Sequence, residues 1–123
     1  MSENSILDQL LSMAKASPPV DIDDGVLACP RCGGKHLHHM QVLVYDRRED
    51  ASNVRRTLIE CSADHNRDPG EIIISNVENE NSGNPSRRRG GIVISFRCET
   101  CHLLPIDLAI AQHKGETLIN WNY

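Results

Sequence analysis

Aromatic side chains are almost missing: the 123 residues include one Phe, one Trp and two Tyr, 3% of the chain. Buried aromatics dominate most cores, so their scarcity leaves aliphatic strands to supply the buried surface and makes the core small. A chain of this size with such a core needs a staple, and its five cysteines are candidates. Long apolar runs are missing as well. Nothing approaches the roughly 20 residues of a membrane span. Met1 to Lys15 scatters charges where a secretory signal would carry a continuous apolar stretch and a small-residue cleavage site. The expectation is a cytoplasmic protein without membrane association, in which cysteines act as thiolate ligands rather than disulfides.

A basic surplus is also absent. The net charge is −4, and all of it falls in residues 1–24, where Lys15 faces Glu3, Asp8, Asp21, Asp23 and Asp24; the remainder is balanced. No global basic field advertises nucleic acid. Signatures of catalysis are equally thin: there is no Ser, His, Asp arrangement, no Gly-rich phosphate loop and no HExxH. The zinc-deaminase pattern fails because Pro30 follows Cys29 instead of preceding it. No enzymatic activity is expected.

What the chain does contain divides at residue 24. Ser2 to Ala16 places Ile6, Leu7, Leu10 and Leu11 near one helical face, with Ser2 or Asn4 as an N-cap. This predicts a short amphipathic helix, ended by Ser17, Pro18 and Pro19 and followed by an acidic linker that is extended or mobile. Residues 1–24 are therefore read as helix and linker, and residues 25–123 as a β domain. In the second part apolar residues recur every two positions: around Met40–Tyr45, Val54–Cys61, Glu71–Val77, Ile92–Arg97, Ile106–Gln112 and Thr117–Tyr123. Lys114 and Gly115 mark a hairpin turn between the last two. Most of the Asn-, Ser-, Gly- and Arg-rich tract from Asn76 to Gly91 reads as a mobile loop.

Cys29-Pro30-Arg31-Cys32-Gly33 is the strongest local signal. Two thiolates at this spacing point at one ion because the turn between them bends back, and a Gly after the second Cys permits the left-handed backbone that turn needs. Cys98-Glu99-Thr100-Cys101 repeats the spacing without the Gly. Together they offer four soft ligands, suited to one tetrahedral structural Zn²⁺ with no open position for water. Cys32 and Cys98 are 66 positions apart, against roughly 15 to 20 in a compact ribbon. The strands at Met40–Asp46 and Gly91–Arg97 abut the two pairs, and antiparallel pairing of these strands would bring them together. A disulfide, a redox CxxC and unpaired core thiols are the competing readings.

The motif CPRCG, followed by strands and a second CxxC, resembles the zinc-ribbon, rubredoxin-like class. Asn84 to Cys101, with Leu108 to Thr117, also resembles small zinc-ribbon proteins found in phages and mobile elements. The resemblance spans roughly residues 26–121 and implies metal binding and a strand-rich fold, with no activity attached. The expected architecture is mainly β: a zinc ribbon with an extended antiparallel sheet of about six strands, preceded by the N-terminal helix.

Other residues invite a role. Cys61 and His65 are spaced C-x3-H, and His36, His38 and His39 follow the first pair; a second metal site competes with a buried thiol and solvated histidines that bond the knuckle sulfurs. Arg47, Arg48, Arg55, Arg56, Arg87, Arg88 and Arg89 could form one basic face, although Asp46, Glu49, Asp50 and Glu60 interleave with them. Two functional expectations result. The first is a non-catalytic, zinc-binding protein-interaction module, a modulator of a host protein, contacting its partner through the helix and the 76–91 loop, with homodimerisation through the helix as a further option. The second is a nucleic-acid-binding ribbon using the arginine-rich loops.

Overall fold

The computed structural model describes residues 19–62 and 68–122. The N-terminal helix expectation, with Ile6, Leu7, Leu10 and Leu11, and His65 lie outside the described residues. Among the described residues eight strands form two sheets: β1 (Ile22–Asp23), β2 (Val26–Leu27), β3 (Leu37–Asp46), β4 (Asn53–Glu60), β5 (Ile72–Glu78), β6 (Gly91–Cys98), β7 (Ile106–His113) and β8 (Glu116–Asn122). The first two make a small hairpin, and the other six a single sheet in the order β5-β4-β3-β6-β7-β8. All neighbours are antiparallel. The six period-two segments of the sequence are these six strands.

The sheet is two meanders, β3-β4-β5 and β6-β7-β8, joined by the central pair β3 and β6. Because β3 enters the sheet at the end where β6 leaves it, Leu37 stands opposite Cys98. A register shift between His39 and Gln41 inserts one extra residue in β3, which bends that strand locally. The final hairpin turns through Lys114 (φ 50) and Gly115 (φ 82), the paired left-handed conformation of a two-residue turn matched to strand twist.

Two expectations change. The segment expected as an extended linker contains the β1–β2 hairpin, which turns through Asp24 (φ 49) and Gly25 (φ 76). The Asp-Gly pair between Ile22 and Val26 was the available signal. The boundary between residues 24 and 25 thus falls inside a turn, and the hairpin feeds directly into the first cysteine pair. The tract from Asn76 to Gly91 is not a mobile loop: Asn76–Glu78 completes β5, Asn79–Asn81 is a 3-10 turn, and the rest is bonded down. Tyr45 Oη donates to Ser82 O at 2.7 Å, Ser86 Oγ donates to Gln112 O at 2.7 Å, and Asn84 Nδ2 donates to both Asn79 Oδ1 and Arg89 O at 2.8 Å. A polar composition that reads as mobile is here satisfied by contacts too distant in sequence to be seen locally.

Two small cores lie on opposite faces of the one sheet. Leu43, Tyr45, Val54 and Val93, backed by Leu58 and Val77, form one, under the 79–90 segment. The other contains Cys29, Cys98, Ile106, Leu108 and Trp121, with Val20, Leu27, Leu37, Ile94 and Phe96 against them. Trp121 is 1% exposed and meets Phe96 edge to face, ring centroids 5.9 Å apart, so two of the four aromatics lie beside the cysteines.

Candidate metal centre

Each cysteine pair occupies a tight turn at the same end of the sheet. In the first, between β2 and β3, Cys29 N donates to Gly34 O and Gly33 N to Cys29 O, both at 2.8 Å. Gly34 N also points at Cys32 Sγ, 3.4 Å away. Gly33 has φ 77, the left-handed conformation its position requires. In the second turn, between β6 and β7, His102 N donates to Cys98 O at 3.3 Å. His102 follows Cys101 as Gly33 follows Cys32, and it too is left-handed, with φ 48. The missing Gly of the second pair is thus a histidine holding a glycine's backbone.

The turns face each other. A Cβ added to Gly34 would stand 2.7 Å from Thr100 Oγ1 and 3.3 Å from Cys32 Sγ. Glu99 N donates to His36 O at 3.1 Å, and the Arg31 guanidinium crosses to the carbonyls of Leu104 and Pro105. The four sulfurs of Cys29, Cys32, Cys98 and Cys101 lie within 4.8 Å of one another. Cys32 and Cys98 are 3.5 Å apart and Cys29 and Cys101 3.9 Å apart. These are not disulfides, and all five cysteines are free thiols. Four sulfurs about 2.3 Å from a tetrahedral Zn²⁺ would stand about 3.8 Å from each other, so the donor set fits a metal ion in both chemistry and spacing.

The protonation of the cluster argues in the same direction. Burial pushes the Cys29 thiol up to about 12, against the lowering effect of the Cys32 and Arg31 N–H groups. Burial raises Cys98 as well, but the N–H groups of Cys101 and Thr100, together with the neighbouring thiols, outweigh it and bring it down to about 6. Gly34 N–H lowers Cys32, while burial and the Cys98 thiol outweigh that donation and leave it raised. One sulfur gives up its proton readily while Cys29 and Cys32 hold theirs, chiefly because burial disfavours the charged thiolate. A divalent ion removes that opposition.

The tempting neighbours stay outside the cluster. His38 Nε2 lies 3.1 Å from Glu99 Oε1 without hydrogen-bond alignment, so it faces the second turn's carboxylate, not a sulfur. His36 and His39 are exposed. Cys61 sits just beyond β4, half-buried, its N–H donating to Met40 O at 2.9 Å. Among the described residues it joins no group of metal donors.

The arginines gather at the opposite end of the sheet, in the β3–β4 turn, early β4 and the 79–90 segment. There the acids meet them. Arg55 Nη2 is 2.6 Å from Asp46 Oδ2, Arg88 Nη2 lies 2.7 Å from Asp50 Oδ2 and 3.2 Å from Glu49 Oε1, and Arg89 reaches Glu49 at 3.8 Å. The hydrogen bond from Arg88 holds the Asp50 carboxyl below its ordinary range, and Arg88 is raised in turn. Arg47 is spent on carbonyls, donating to Ala51 O at 2.7 Å and Arg87 O at 3.0 Å. Arg48 and Arg87 are exposed, and Arg56 is half-buried opposite Tyr45.

Fold and site together define a mainly β protein, an antiparallel six-stranded sheet with a four-cysteine cluster at one end, compatible with a zinc ribbon. No family model matches the chain, and no curated protein or solved structure matches it either.

Proposed function

We propose that this is a non-catalytic β module, stapled by one structural zinc on Cys29, Cys32, Cys98 and Cys101, that acts by binding another protein. The observation that carries the reading is the convergence of four sulfurs within 4.8 Å. A zinc held by four thiolates has no open position at which to activate water, so its contribution is to folding. A recognition surface is available at the outer strand. Among the described residues no strand pairs with the free side of β5, and Ile73 there is 45% exposed. An open edge is a template for an added strand, and the alternating side chains supply the selectivity. Taken with the resemblance of Asn84 to Cys101 to phage and mobile-element ribbons, the partner is a host protein whose activity this cytoplasmic chain modulates.

The nucleic-acid reading is the weaker one. The arginines do assemble at one end, but Asp46, Glu49 and Asp50 pair with Arg55, Arg88 and Arg89 there, and phosphate binding weakens with each cation so engaged.

Elemental analysis of the purified full chain should return one zinc per chain. The zinc-loaded chain, used as bait, should retain a stoichiometric protein that an Ile73→Lys bait of equal zinc content does not. A partner held equally by both baits, or none at all, overturns the interaction through β5, and absent zinc overturns the staple.

A further inference from the structure

The register of the sheet exposes something the metal does not explain. On the face carrying Cys98, cross-strand neighbours fall into two rows that run the full width of the sheet. One is Ile72, Ile59, Val42, Ile94, Leu108 and Trp121; the other is Ile74, Thr57, Val44, Ile92, Ile110 and Ile119. Eleven of these twelve side chains are apolar. The end of the first row near β8 is covered, since Leu108 and Trp121 lie in the core that Val20, Leu27 and the first cysteine turn close over. Beyond it Ile72 is 67% exposed, Ile74 66% and Ile119 48%, while Ile59, Val42, Val44, Ile92 and Ile110 between them are half-buried. Val44, Ile92 and Ile110 also line a cleft of about 420 Å³ rimmed by Asp46, Arg47, Arg55 and Gln112. An apolar surface this extended on one face of a sheet calls for a cover.

We propose that the cover is the chain's own N-terminal segment, residues 2–16, laying Ile6, Leu7, Leu10 and Leu11 across this face. Three observations select this occupant. The described chain begins at the right place: Pro19 bridges to Asn120 in β8, between Ile119 and Trp121 on that strand, and Val20 packs against the core that contains Trp121. The segment has the right pattern, an apolar stripe at helical spacing. It also has the right length. Fifteen helical residues span about 22 Å, against about 24 Å across six strands spaced about 4.8 Å apart. The short Ser17-Pro18 tether keeps the stripe at high effective concentration over its own sheet. The inference does not depend on the metal assignment.

The test is methyl NMR on the zinc-loaded full chain. Contacts are expected between the methyls of Leu7, Leu10 or Leu11 and those of Val44, Ile92, Ile110 or Ile119, unchanged on dilution. In a mixture of differently labelled chains, cross-chain contacts should be absent. Finding them only between chains would assign the face to a second copy and overturn the proposal, as would their absence altogether. The double variant Leu7→Asp, Leu11→Asp should abolish these contacts and raise binding of an apolar dye several-fold, with zinc content and Trp121 emission unchanged. Dye binding equal to that of the wild type counts against it.

Discussion

Residue identity on a shared backbone geometry separates the two cysteine turns. Gly33 and His102 hold equivalent left-handed positions, and nothing lies within 4 Å of a Cβ built on Gly33. Substitution there meets only the conformational penalty, about 1 kcal/mol for a non-glycine residue. Gly33→Ala should therefore destabilise the zinc-loaded protein by about 1 kcal/mol. His102→Gly should stabilise it by about 0.5 kcal/mol, since it relieves the same strain while loosening the unfolded chain. Urea denaturation at saturating zinc reads both, and a loss of stability in His102→Gly would show that the imidazole has a role of its own. The sequence showed where a left-handed residue was needed in the first turn because Gly announces it. In the second it was hidden, since only the folded backbone shows a histidine adopting that conformation.

Among the elements, the 79–90 segment departs furthest from expectation, and Tyr45 is its fastening. Its hydroxyl is buried and donates to Ser82 O across 37 positions of sequence. Burial pushes this phenol above its ordinary range, with Arg56 opposing, so it remains a donor at any physiological pH. Tyr45→Phe leaves the Ser82 carbonyl without that donor, which should cost about 1 to 2 kcal/mol. Hydrogen exchange should quicken between residues 82 and 90 while the cysteine turns stay protected. Uniform acceleration throughout the sheet would instead mean that the segment and the sheet open together. The strands themselves were legible because a half-buried strand writes its exposure into alternate residues. The β1–β2 hairpin was too short for any periodicity and showed only in its Asp-Gly turn.

For the whole molecule, the arrangement would make Trp121 a reporter of a metal held by the four cysteines. It is the single tryptophan of the chain, 1% exposed, and packed in the core that contains Cys29 and Cys98. Structural zinc contributes on the order of 10 kcal/mol to folding, more than a core of this size can replace. Chelation should shift Trp121 emission to the red and abolish the far-UV strand signal in one transition. The second core, on the other face, shares β3 and β6 with the first. Strand signal that survives complete zinc loss would refute the structural role.

The sequence by itself determined the donors and the strands, since a CxxC turn and a two-residue alternation are written in neighbouring positions. Only the tertiary structure decided how these parts meet. The pairing of β3 with β6 carries Cys98 to Cys32 over 66 positions, and the same pairing sorts apolar side chains onto two faces and sets Asp46, Glu49 and Asp50 against the arginines. Such partnerships depend on strand order and register, which are set by burial summed over the whole sheet, and no local stretch of sequence carries that sum.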